Sequence, residues 1–153
     1  MVKNRPKDSA RLIMDPLNDF FIRLSNILKE DRRYKEESYL FVMAALGRAL
    51  RDLAQPRHIS GSELLKSIQF EAKEQFGPMA TAVFHYWGIK NSLDFGVIVF
   101  NMVREGIFSK TECDRLDDFD DSIFFENLFD QSLGYRLNSE DSILDGAHSK
   151  ILT

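Results

Sequence analysis

No run of about 18 apolar residues occurs anywhere in the 153-residue chain, so no membrane-spanning helix is expected. The first residues are basic but lack an apolar core and a small-residue cleavage site, so no secretory signal is expected either. A single cysteine, Cys113, excludes an internal disulfide and fits a reducing cytoplasm. No internal repeat or low-complexity tract stands out. The glycine-rich loops that cradle phosphate, the serine elbow of hydrolases and the ligand spacing of zinc sites are all missing. The expectation is a cytoplasmic chain with no cofactor and no membrane contact.

The apolar fraction, 44%, is that of a globular protein, and 13 phenylalanines supply much of it. Burying one such ring is worth roughly 1.5–3 kcal/mol, so a core is within reach of one domain. The net charge of −4 is unevenly spread. Residues 1–11 carry +3, residues 12–108 are neutral, and residues 109–145 carry −8. The chain therefore divides into a flexible basic arm at 1–13, a helical domain at 14–133 and a loose polar tail at 134–153.

Asp15-Pro16 reads as a helix start, an N-cap carboxylate followed by proline in the first turn. Leu17, Phe20, Phe21, Leu24, Ile27 and Leu28 then recur at helical spacing up to about Glu30. A second helix is predicted from about Lys35 to Ala54, with Tyr39, Val42, Met43, Leu46 and Leu50 on its apolar face. Gly47 inside it costs about 1 kcal/mol against alanine and suggests close packing. Ser60-Gly61-Ser62-Glu63 matches a capping box, and Leu64, Leu65, Ile68, Ala72 and Phe76 carry the third helix.

The stretch from Phe76 to Gly106 is the predicted centre of the core. Gly77 and Pro78 stop one helix and start the next. Val83, Phe84 and Trp87 form a short apolar face closed by Gly88. Ser92 is the expected N-cap of a fifth helix, with Asp94 in its first turn and Phe95, Ile98, Val99 and Met102 on its stripe. Neither short helix can bury its stripe alone, so both must close on the helices before them. The fold class that follows is mainly α, a compact five-helix domain. Ile107-Phe108 and Ile123 to Phe129 read either as a small two-stranded β element, in a winged-helix-like order, or as a final helical turn. Periodicity does not decide between them.

Several short motifs fall in a recognisable order: Asp31-Arg32-Arg33-Tyr34, Arg57-His58-Ile59-Ser60-Gly61, Phe76-Gly77-Pro78-Met79-Ala80, Trp87-Gly88-Ile89 and Asp94 to Asn101. Ser109-Lys110-Thr111, Asp114 and Asp118-Phe119 follow. As a set, from about Pro16 to Phe129, they resemble the planctomycete–verrucomicrobial conserved hypothetical family. The resemblance implies a bacterial origin and carries no activity.

Three groups of residues are candidate sites. Arg57, His58 and Ser60 lie at the start of the third helix, where free N–H groups can hold a phosphate or carboxylate. The structural alternative is a His58 that bonds a backbone carbonyl. Asp117, Asp118, Asp120 and Asp121 are the weaker, metal candidates, since hard cations want clustered oxygens. Their spacing is not that of an EF-hand, and a solvated acidic loop is the plainer reading. Phe119, Ile123, Phe124, Phe125 and Phe129 form an apolar cluster that, if exposed, would be an interface. Asp94-Phe95-Gly96 spells a kinase motif without its partner motifs and reads as first-turn acid plus core. Cys113 lies among acids, which disfavour its thiolate. His85, beside Tyr86 and Trp87, reads as a structural histidine.

Three functions remain. The first is a non-catalytic module that binds a protein partner. The second is a winged-helix-like nucleic-acid binder, which the acidic would-be wing and the single base of the fifth helix, Arg104, oppose. The third is a small enzyme, which needs a pocket joining His58, His85 or the acidic run, and no catalytic constellation is legible.

Overall fold

The structure is a computed structural model that describes residues 5–109 and 115–128, with side chains from Asp15 onward. Five helices follow one another: α1 (Arg5–Glu30), α2 (Glu36–Arg51), α3 (Gly61–Phe76), α4 (Ala80–Tyr86) and α5 (Ser92–Arg104). A 3-10 turn at Gly77–Met79 leads into α4, another spans Leu116–Phe119, and residues 124–128 make one further helical turn. The mainly α architecture is the one the apolar periodicity requires.

The start of α1 differs from the expectation. The helix begins at Arg5, inside the stretch read as an arm, and Pro16 sits within it. Pro6 stands in the first turn, where its missing N–H is not needed, so it serves the role assigned to Pro16. Pro16 then removes one intrahelical hydrogen bond from a helix long enough to continue past it.

The helix ends follow the glycines. At Gly88, with φ of 94°, Ile89 N donates to Phe84 O at 2.9 Å and Gly88 N to His85 O at 3.0 Å. At Gly106, with φ of 78°, Ile107 N donates to Met102 O at 2.8 Å and Gly106 N to Val103 O at 3.0 Å. Both are Schellman closures, which use the last carbonyls of a helix and need a residue in the left-handed region. A β-carbon at Gly88 would also overlap the Arg33 carbonyl oxygen.

No strand occurs among the described residues, so the small β element is not found. Ile107 and Phe108 spend their N–H groups on Met102 O, closing α5. Asp121 Oδ1 accepts from Ile123 N at 3.1 Å, and Phe124 N donates to Asp121 O at 3.1 Å, which turns the chain into helix. The winged-helix-like order therefore lacks its wing among the described residues. The tail expected at 134–153 lies outside them.

The core closes around aromatic rings. Phe41, Phe76, Phe84 and Trp87 pack in stacked, edge-on and tilted pairs at centroid distances of 5.5–6.5 Å, and Phe84 reaches Phe95 at 5.2 Å. Phe84 and Trp87 are buried, as their position in the predicted centre demands. Ser67 Oγ donates to Ala45 O at 2.7 Å, pinning α3 to α2.

Candidate functional site

The expected anion site is already filled by the chain itself. Ser60 and Glu63 form the capping box, with Glu63 N donating to Ser60 Oγ at 3.1 Å and Ser60 N to Glu63 Oε1 at 2.9 Å. Arg57 grips the same carboxylate through both terminal nitrogens, at 3.1 and 2.7 Å, and also donates to His58 O. Hydrogen bonds from Arg57, then from the Ser60 N–H, hold the Glu63 carboxyl down at about 2. The positive end of α3 thus meets an internal anion. His58 is exposed.

The aspartates do not converge. Asp117 is exposed and pairs with Arg115 at 3.7 Å, Asp120 is exposed, and Asp121 accepts from Ile123 N. Among the described residues no group of three or more acids, histidines or cysteines could hold a metal ion.

The aromatic cluster at the chain's end is mostly core. Phe119 and Phe124 are both 0% exposed, and Phe125 is half-buried against Phe124 and Phe84. Ile123 alone stands out, at 48%, and Phe129 lies outside the described residues. The burial of Phe119 has a specific cause. A β-carbon on Gly61 would come within 2.8 Å of the Phe119 ring, and one on Gly96 within 2.7 Å of Leu116 and 2.9 Å of Phe119. The two glycines, on α3 and α5, leave the slot that receives the ring. Ser92 fastens the segment: its hydroxyl donates to Phe119 O and accepts from Asp121 N at 2.9 Å. Ser92 is therefore not the N-cap. Asn91 caps α5, accepting from Asp94 N at 3.2 Å in a second capping box.

His85 does share a shallow cleft of about 430 Å³ with Lys90, Asp120, Asp121 and Glu126. Its ring lies 5.6 Å from that of Phe125, and no hydrogen bond joins it to those acids among the described residues.

Three of the quoted motifs meet in space. Asp31 accepts from Arg33 N, Nε and Nη2 and from Asn101 Nδ2, and Asn101 also donates to Tyr39 Oη at 3.1 Å. Tyr34 Oη donates to Asp94, whose other oxygen accepts from Lys90 N at 2.7 Å, and Lys35 N donates to Trp87 O at 3.1 Å. The Arg33 hydrogen bond, foremost, pulls the Asp31 carboxyl well below the usual range, while burial pushes the Tyr34 and Tyr39 phenols up. No buried side-chain polar atom lacks a partner among the described residues. A network this complete locks the 31–35 loop to α5.

The uncovered surface that sequence reasoning missed is on α1. Leu17, Phe20, Phe21, Leu24 and Ile27 share one stripe. Leu24 and Ile27 are buried against the body, whereas Leu17 is 53% and Phe21 47% exposed. A groove of about 650 Å³ runs beside them, lined by Leu17, Phe20, Met43 and Ile107 with Asp19 and Arg23 at its rim. The periodicity marks the whole stripe from Leu17 to Leu28 as core-facing. Only the length of the body beneath it decides which turns are covered.

No protein-family model, no curated protein and no solved structure matches the chain. Among the described residues no helix is long and apolar enough to cross a membrane. Fold and surface together define a mainly helical domain with an aromatic core and an α1 stripe that is only partly buried.

Proposed function

We propose that the protein is a non-catalytic protein-interaction module, bacterial and cytoplasmic, that offers the uncovered turns of α1 to a protein partner. The observation that carries this reading is Leu17 and Phe21, half-exposed on the very stripe whose next turns are core. Large apolar side chains on successive turns of one helix, beside an apolar groove, are typical of a docking face. The motif set that resembles the planctomycete–verrucomicrobial family supports the bacterial origin, and a lone cysteine supports a reducing compartment. Nucleic acid is disfavoured because Arg104, the one base of α5, pairs with Glu30 at 3.3 Å.

The test is a photo-crosslinking amino acid placed at Leu17, compared with one at Phe70, an exposed ring covered by the Arg48 guanidinium. In cells, protein adducts are expected at position 17 and not at position 70. No protein adduct at 17, or equal yields at both, would refute the reading.

A further inference from the structure

We propose that residues 115–128 are an internal ligand, a strap that leaves its groove on α3, α4 and α5 as one unit while the helical body stays folded. The groove is then a peptide site separate from the α1 face and does not depend on it. The segment it takes carries two phenylalanines spaced as Phe119 and Phe124 are.

Three observations carry it. The first is how the strap is fastened. The body holds the strap's backbone through side chains. Ser92 on α5 bonds Phe119 O and Asp121 N, and Gln69 Nε2 on α3 donates to Phe124 O at 3.2 Å. Among the described residues no backbone–backbone hydrogen bond and no ion pair joins the strap to the body. Its own backbone bonds close within it, as from Asp120 N to Asp117 O at 3.0 Å and from Asn127 N to Ile123 O at 2.8 Å. Hydrogen bonds to a segment's backbone, together with pockets for its side chains, are how grooves hold peptides.

The second is what the rings meet. Phe119 fills the slot left by Gly61 and Gly96, and Phe124 meets Phe95 on α5 at 5.3 Å and Phe84 on α4 at 6.4 Å. Both rings are buried, whereas Asp117, Asp120 and Glu126 are exposed. The groove therefore reads the spacing of the rings and leaves these charges to solvent. A slot made by two missing β-carbons is a pocket that the body supplies to a single flat ring.

The third is that the body closes without the strap. Both capping boxes, the Gly88 and Gly106 closures, the Asp31–Asn101 network and the Ser67 bond to α2 join residues of 15–108 only to one another. Opening the strap breaks none of them. Contiguous units whose bonds are mostly their own open below the free energy of global unfolding.

The experiment is fluorescence anisotropy with a labelled synthetic peptide of residues 115–128, titrated with the full chain and with its Phe119→Ala variant. The variant weakens closing, so its groove is free more often. Circular dichroism is expected to show its helices intact. Its apparent affinity for the peptide is expected to exceed that of wild type by about a hundredfold or more, the factor that loss of one buried ring supplies. The same peptide carrying Phe119→Ala is expected to bind neither protein. A variant that loses its helices overturns the proposal, because the strap is then part of the body's core. A folded variant that does not bind the peptide overturns it too. So does equal binding to variant and wild type, which puts the peptide on another surface, and so does an altered peptide that binds as tightly as the original.

Discussion

Asp31 joins four hydrogen-bond donors, three from Arg33 and one from Asn101, and its side chain is only 11% exposed. Its carboxyl is held below the ordinary range, chiefly by the Arg33 side chain and against the cost of burial. A depressed folded value means stability that is present above the unfolded value, about 4, and is lost as pH falls below it. Asp31→Asn is expected to cost about 1.5–3 kcal/mol at pH 7, the range for hydrogen bonds to a charged group. Urea unfolding of this variant should also show a flatter loss of stability between pH 5 and pH 3 than wild type. A variant with the wild-type pH profile would show that the carboxylate is not held by these bonds. At this scale the sequence named the right residues and sometimes the wrong role. Ser92 and Asn91 are both good caps, and only the three-residue spacing to Asp94 favours Asn91. Arg57 and Ser60 do hold an anion, but it is Glu63 of the same helix.

The helices themselves were legible because their apolar residues repeat at 3.6 and their ends carry Ser60, Gly77, Gly88 and Gly106. The segment from Leu116 to Leu128 was not. It is too short for periodicity, and its course depends on two gaps on other helices, at Gly61 and Gly96. Nothing near Phe119 in sequence says that those gaps exist. In a helix interior, glycine to alanine normally gains up to about 1 kcal/mol. Gly96→Ala is expected instead to lose about 1–3 kcal/mol, because the new carbon meets Leu116 and Phe119. Combined with Phe119→Ala, itself expected to cost about 3–5 kcal/mol, the glycine change should cost far less. Strict additivity in this double-mutant cycle would contradict the slot.

Taken whole, the molecule spends its polar motifs on holding itself together. Asp31 and Tyr34 of one motif are hydrogen-bonded to Asn101 and Asp94 of another, Gly88 of a third lies against the Arg33 carbonyl, and the aspartates of 117–121 are scattered. Large apolar side chains stay exposed on several elements, and on α1 Leu17 and Phe21 do so on the same stripe whose later turns are core. The sequence could not reveal this, since exposure depends on how far the neighbouring helices extend and not on the stripe. Amide hydrogen exchange tests the account most directly. The account predicts slow exchange in α3 and α5, whose stripes are core, and faster exchange in the turns around Leu17 and Phe21. Exchange in those turns as slow as in α3 and α5 would contradict it.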